Sequence, residues 1–437
     1  MATPGLSPSL ELTKTNFETN LESLGLYSPG ALPPTGVLRD QRRGRQLGTR
    51  SNAGEISLIE RDGMLFWDVS PLPPPLPAGM RRLRRRSLLG RLIARREFLA
   101  LGQNEIGLYL SNLDQELTPD RGLLEWSPQQ GKLIPPQTKL ETEGRFLLII
   151  HGTFSRSEHI FKDLQSTQNG IELLKAAAAR YKRVFAFDHP TVSVSPMLNA
   201  LDLRTQLATS NADMDIICHS RGGLVSRWWM EVFDTFPARK KRTIFVASPL
   251  NGTSLASPAR LRSGLNTLAT FARLLGSGSM AIPLLHAPAA ILRVLASVVG
   301  VTSRVPIVDA ALAMIPGLNG QSRISNNAEL SRLNHPMQNT GPYFFVRSDF
   351  ESSAVGWNFC KYIREGKIRL AEAAADKLVF PGQNDLVVDT ESMTEVPANT
   401  AIAAASIQDF GTNGNVHHTN YFVQPQTLAF IRTSFQF

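Results

Sequence analysis

From Arg145 onward the chain alternates short apolar runs with amphipathic stretches, and this alternation restricts its fold more than any other feature. The apolar runs are RFLLIIHG, RVFAFDH, MDIICHS, RTIFVASP, PYFFVRSDF and DKLVFPG. Helical patterns separate the first four, over Ile160 to Arg183, Pro196 to Thr209 and Gly223 to Phe236. Near-continuous apolar strands with helices between them predict a mostly parallel sheet covered on both faces. Chemistry on such a sheet collects in the loops at the carboxyl ends of its strands.

At 437 residues the chain is long for one core, so a large domain with an extension or a cap is expected. Residues 1 to about 50 are rich in Ser, Pro, Gly and Arg and show little periodicity. GEISLIERDGMLFWDV (Gly54 to Val69) predicts two strands around the Asp62-Gly63 turn. SPLPPPLPAG (Ser70 to Gly79) reads as a stiff connector, and EIGLYLSNL (Glu105 to Leu113) as a further strand. Between Thr253 and Met337 the strand signals lapse and apolar residues recur at helical spacing, which predicts a helical cap inserted over the sheet. The expected domains are an N-terminal extension over 1–140 and a main domain over 141–437, with the cap at 253–337 inside it.

Composition excludes several classes. Hydrophobic content of 42% with 19% charged residues is that of an ordinary soluble globular protein. The longest apolar stretch, Ala281 to Val301, is interrupted by Pro283, His286, Pro288 and Arg293, so no membrane span is expected. MATPGLSPSL lacks the features of a secretory signal, and the RREFL at Arg95 to Leu99 is followed by too polar a stretch to be an export signal. Two cysteines, Cys218 and Cys360, cannot build a disulfide framework and suit a reducing, cytoplasmic setting.

The net charge of +9 and the pI of about 9.7 are partly local. From Arg81 to Arg96 there are eight arginines and no acid, with Leu88, Leu89, Leu92 and Ile93 on one helical face. The expectation is a basic amphipathic surface helix, with an anionic membrane surface as its candidate partner. No nucleic-acid partner is expected, because no reading motif accompanies the charge. The oligomeric state is left open.

CHSRGG (Cys218 to Gly223) closes the strand MDII and opens a helix. A serine between strand and helix, with glycine two residues on, can occupy a sharp turn that lifts its hydroxyl out of the sheet. A side chain at Gly222 or Gly223 would crowd that turn and the neighbouring strand. The helix start aims free backbone N–H groups at anything bound to Ser220 Oγ. The stretch resembles the nucleophile elbow of the α/β-hydrolase superfamily, especially its lipases and esterases, with Cys218 where the pattern has glycine.

That resemblance implies an α/β-hydrolase fold and a set of partners for Ser220. FLLIIHGTF (Phe146 to Phe154) resembles the superfamily's oxyanion loop, which assigns the oxyanion donors to the backbones of Thr153 and Arg221, with Phe154 one residue away. PGQNDLVVDTESM (Pro381 to Met393) is similar to the N-D-x-V-V stretch that carries the acid, aligning Asp385, with Asp389 as the alternative. GNVHHTNYF (Gly414 to Phe422) resembles the H-x-N-Y-F form around the general base, which favours His418 over the alternative base His417. VASPLNGTSLA (Val246 to Ala256) and NAELSRLN (Asn327 to Asn334) resemble the stretches leading into and out of the lipase cap. The likeness covers residues 140 to 437.

The implied function is a Ser-His-Asp serine hydrolase (Ser220, His418, Asp385) acting on an ester or lipid substrate through an acyl-enzyme, without a cofactor or metal. An acyltransferase or phospholipase would use the same residues, and a non-catalytic hydrolase fold serving as a partner-binding protein is the alternative from another class. Arg221 is expected either to turn to solvent or to favour an anionic substrate group. His151 and His219 are expected to hold loops by hydrogen bonds, and His189 to be structural.

Overall fold

The structure, a computed structural model, describes residues 6–32, 53–72, 90–236, 238–257, 260–299, 314–324, 327–335, 341–351, 382–396 and 402–437. The chain divides into two compact units: Met1–Tyr109 with Gly264–Met314, and Leu110–Ser263 with Ile315–Phe437.

The first unit is built on three antiparallel strands, β1 (Ala53–Arg61), β2 (Met64–Pro71) and β3 (Arg91–Leu99), in the order β2-β1-β3. The Asp62-Gly63 turn joins β1 to β2 as expected, with Arg61 opposite Met64 and both turn residues in the left-handed region. Within this unit lie α1 (Pro8–Glu18) and most of two helices from the expected cap, α7 (Leu261–Leu275) and α8 (Pro283–Val299). The unit thus draws together two stretches that the sequence reading kept apart. Its core includes Phe17, Ile56, Leu58, Trp67, Phe98, Leu268 and Ile291, all buried.

Two expectations fail here. The basic segment is no helix where it is described: Arg91–Leu99 is strand β3, paired along β1, with Leu92 exposed and Ile93 buried. Its earlier part lies outside the described residues. Ile93, Ala94, Arg96, Glu97 and Phe98 are all buried, so no clean alternation marks the stretch, and it is the pairing with β1, with a register shift between Leu58 and Ile59, that makes it a strand. Conversely, EIGLYLSNL is not a strand but the body of helix α2 (Ile106–Leu117). Ile106, Tyr109, Leu110 and Leu113 are buried there at the 3–4 spacing of one helical face.

The second unit carries an eight-stranded sheet in the order β5-β4-β7-β6-β8-β9-β10-β11. Its central strands are β6 (Arg145–Ile150), β7 (Arg183–Asp188), β8 (Asp213–His219), β9 (Lys241–Val246) and β10 (Tyr343–Phe350), all parallel. These are five of the six strands read from the sequence; DKLVFPG lies outside the described residues except for Gly382. Three strands were missed. The hairpin β4 (Gly122–Ser127) and β5 (Lys132–Ile134) adds antiparallel strands at one edge, so the sheet begins inside the expected N-terminal extension. β11 (Ile407–Asn413) closes the other edge parallel to β10.

Alternate residues of β6 enter two separate cores. Leu147 and Ile149 pack with α3 (Ser157–Gln165), α4 (Gln168–Arg180) and α11 (Pro425–Phe435), while Phe146, Leu148 and Ile150 pack with α5 (Pro196–Gln206) and α6 (Gly222–Trp228). The fold class is therefore the expected one, an α/β sheet, mostly parallel and covered on both faces. Two short helices follow the helical insertion, α9 (Pro316–Asn319) and α10 (Ala328–Leu333), the latter capped by the Asn327 side chain on the Leu330 amide. Among the described residues no helix is long and apolar enough to cross a membrane.

Candidate active site

The turn after β8 is as sharp as its sequence requires. Ser220 sits at φ 53°, in the left-handed region that costs a non-glycine residue energy, and its N–H donates to Val246 O at 2.9 Å. A Cβ on Gly222 would lie 2.5 Å from the carbonyl oxygen of Ile150, and one on Gly223 would lie 2.5 Å from Ser248 Cβ. Only glycine allows α6 to start this close to β6. Cys218 is fully buried, with its Sγ 3.4 Å from Ile244 O.

Three side chains distant in sequence meet at this turn. His418 Nε2 is 2.9 Å from Ser220 Oγ, and His418 Nδ1 is 2.8 Å from Asp385 Oδ2. Asp385 is fully buried, and its other oxygen accepts the N–H groups of Val387 (3.2 Å) and Val388 (2.9 Å). Its Oδ2 also accepts the Tyr421 hydroxyl at 3.1 Å, so the carboxylate is held from four directions. The His418 N–H donates to Asp385 O at 3.1 Å, which ties the two loops together through the backbone. Tyr421 lies in the Thr-Asn-Tyr-Phe run that singled out His418, but nothing in the sequence signals where its hydroxyl goes.

The alternatives are placed elsewhere. His417 turns its ring toward Thr419 Oγ1 and the edge of Phe350, and burial pushes it down to about 4. Asp389 accepts the Ser254 N–H (2.8 Å) and hydroxyl (2.9 Å), with burial raising its carboxyl above the ordinary range. Neither has a hydrogen bond to Ser220 or His418 among those described.

The loop-holding histidines behave as such. His219 Nε2–H donates to the His418 carbonyl at 2.8 Å, and burial pushes this imidazole down to about 3, leaving it neutral. His151 donates from Nδ1 to Gly152 O at 2.9 Å, accepts the His189 N–H at Nε2, and is likewise pushed down to about 3 by burial. His189 stacks on it with ring centroids 4.1 Å apart.

In the loop after β6, the Phe154 N–H donates to Thr191 Oγ1 at 3.2 Å, with Phe154 at φ 55°. Among the described residues, no protein acceptor takes the N–H of Thr153 or of Arg221. The Thr153 hydroxyl is engaged by Gln321 Nε2 at 2.9 Å.

Arg221 departs from both expectations for its side chain, since it reaches neither solvent nor an open site. It is fully buried, runs from the turn to the loop after β7, and donates from Nη2 to Val194 O at 2.6 Å. Burial pushes its guanidinium down to about 10, and its Nε and Nη1 have no hydrogen-bond partner among the described residues.

The family described as "Domain of unknown function (DUF7379)" has a model that matches residues 116–436. No curated protein matches the chain. Among solved structures, the chain is similar to the lipase BlEst2 of Bacillus licheniformis in mature form, with 15% identity over 66% of this chain and 90% of that one, at a TM-score of 0.35. It is also similar to lipase 1 of Pelosinus fermentans, with 11% identity over 68% and 98% of the two chains and a TM-score of 0.39. The metagenomic carboxyl esterase MGS0156 is 14% identical over 76% and 89%, at a TM-score of 0.33.

Proposed function

The chain belongs to the DUF7379 family, a domain of unknown function, and we propose that its chemistry is the cleavage of carboxylic esters by Ser220 through an acyl-enzyme. The observation that carries this reading is the unbroken hydrogen-bonded line from Asp385 through His418 to Ser220. A hydroxyl is a poor nucleophile until a base takes its proton, and an imidazole 2.9 Å away is in reach to do so.

In this mechanism His418 Nε2 removes the Ser220 proton as Oγ attacks the ester carbonyl. Asp385 holds the Nδ1–H tautomer and stabilises the imidazolium that forms. The Thr153 and Arg221 amides donate to the developing oxyanion, each such donor contributing roughly 3 kcal/mol to the transition state. His418 then protonates the leaving alcohol, which departs, and a water deprotonated by the same nitrogen releases the acid. The Thr153 and Arg221 amides, which no protein acceptor takes among the described residues, and the strained φ of Ser220 support these roles.

Fluorophosphonate labelling of wild type and Ser220→Ala, with turnover of p-nitrophenyl esters of graded chain length, tests the proposal. Wild type should take label and hydrolyse ester, and Ser220→Ala should do neither. An unlabelled, inactive wild type would leave the partner-binding reading in its place.

A further inference from the structure

Asp114, on α2, belongs to no motif in the sequence, yet it is fully buried and organises the loop after β7. Its carboxylate accepts the N–H groups of Thr191 (2.7 Å), Val192 (3.0 and 3.1 Å to its two oxygens) and Ser193 (2.6 Å). It also accepts the hydroxyls of Ser193 at 2.6 Å and Thr191 at 3.4 Å. Three successive amides converging on one carboxylate fix the backbone of this loop.

The Thr191 hydroxyl is the link to the site. A carboxylate only accepts, so Thr191 Oγ1 spends its proton on Asp114 and presents a lone pair in the other direction. That lone pair takes the Phe154 N–H. Of the two adjacent amides that could face the serine, one is thereby withdrawn and the other, that of Thr153, is left. The same loop is held from the far side by Arg221, whose Nη2 donates to Val194 O, and by the Gly317 N–H on Val192 O at 2.9 Å. One short loop therefore braces both the oxyanion loop and the residue that carries the second donor.

We infer that Thr191, oriented by Asp114, is a positioning residue that selects the Thr153 amide for the oxyanion by taking up the amide of Phe154. The inference rests on the reading of Ser220 as the nucleophile. It concerns transition-state geometry and not substrate binding, so its signature is a loss in kcat at constant KM.

The test compares wild type with Thr191→Val, Thr191→Ser and Asp114→Asn. The readouts are kcat and KM on p-nitrophenyl butyrate and affinity for a trifluoromethyl ketone with the same acyl chain, which adds Ser220 as a tetrahedral analogue. For Thr191→Val, kcat and ketone affinity should both fall by about 10- to 100-fold with KM within about twofold, whereas Thr191→Ser should stay within about threefold of wild type. Asp114→Asn should follow Thr191→Val; if it does not fold by circular dichroism, the two Thr191 variants decide alone. A Thr191→Val enzyme with wild-type kcat, or a Thr191→Ser enzyme as impaired as the valine variant, overturns the inference. Fluorophosphonate labelling of wild type separates the two levels: labelling with an unaffected Thr191→Val sinks only this inference, and no labelling sinks the hydrolase reading together with it.

Discussion

Two adjacent histidines, His417 and His418, have nearly the same sequence context but different surroundings. His418 lies between a carboxylate and a hydroxyl, while His417 packs its ring against Phe350 with burial pushing it down to about 4. His418→Ala is therefore expected to lose about 10⁴-fold or more in kcat, while His417→Ala keeps activity within a small factor. Steady-state kinetics on one p-nitrophenyl ester check this, and equal losses in both variants would refute the assignment. Ser220, Asp385 and His418 were singled out because each stands in a short stretch that resembles a family motif. Tyr421, Thr191 and Asp114 were not, because a side-chain hydrogen bond across tens of residues leaves no local pattern. Arg221 was misjudged for a related reason: an arginine after a nucleophile reads as a surface residue until a loop carbonyl, that of Val194, is found to receive it.

Edge strands expose unpaired backbone groups, and the first unit deals with one of its edges through a helix. β2 lies at the edge of its three-stranded sheet, and α7 supplies what a neighbouring strand would. The Trp67 N–H donates to Asn266 Oδ1 at 2.8 Å and the Leu65 N–H to Thr270 Oγ1 at 2.9 Å, both acceptors being buried. Trp67 Nε1–H adds a bond to the Leu265 carbonyl at 3.2 Å. Asn266→Ala and Thr270→Val would each remove a buried acceptor from a strand amide, at a cost of about 1–3 kcal/mol. Thermal unfolding should register this as a lower Tm for each variant; unchanged melting would mean that the helix is not what satisfies the strand. The central strands were legible since, being buried on both faces, each carries a run of consecutive apolar residues. The two misread elements, β3 and α2, are half-exposed, and there a short stretch mixes the periods of strand and helix until packing chooses between them.

Taken as a whole, the molecule buries many histidines in neutral form. Burial pushes His151 and His219 down to about 3 and His159 and His417 to about 4, and His189 well below the ordinary 6.5. The unfolded chain takes up these protons below pH 6.5, while the folded chain resists until pH 3–4, so their contribution is full above 6.5 and is lost as pH falls. Asp163 and Asp188, held up to about 6 by burial, act in the opposite sense, losing their contribution as pH rises from 3.8 through 6. The histidines are the larger set, so Tm should fall between pH 7 and pH 5 and be nearly level from 7 to 8. A Tm that rises on acidification would show that the imidazoles are not buried neutral.

By itself the sequence determined the central strands and the sharp turn at Ser220, because strand hydrophobicity and turn glycines are imposed over a few adjacent residues. Only the tertiary structure decided that residues Gly264–Met314 group with the N-terminal sheet, that His418 and not His417 meets the serine, and that the Phe154 amide is taken up by Thr191. Each of those depends on which distant backbone group or apolar face finds its complement once the chain is packed, and no nearby residue encodes that choice.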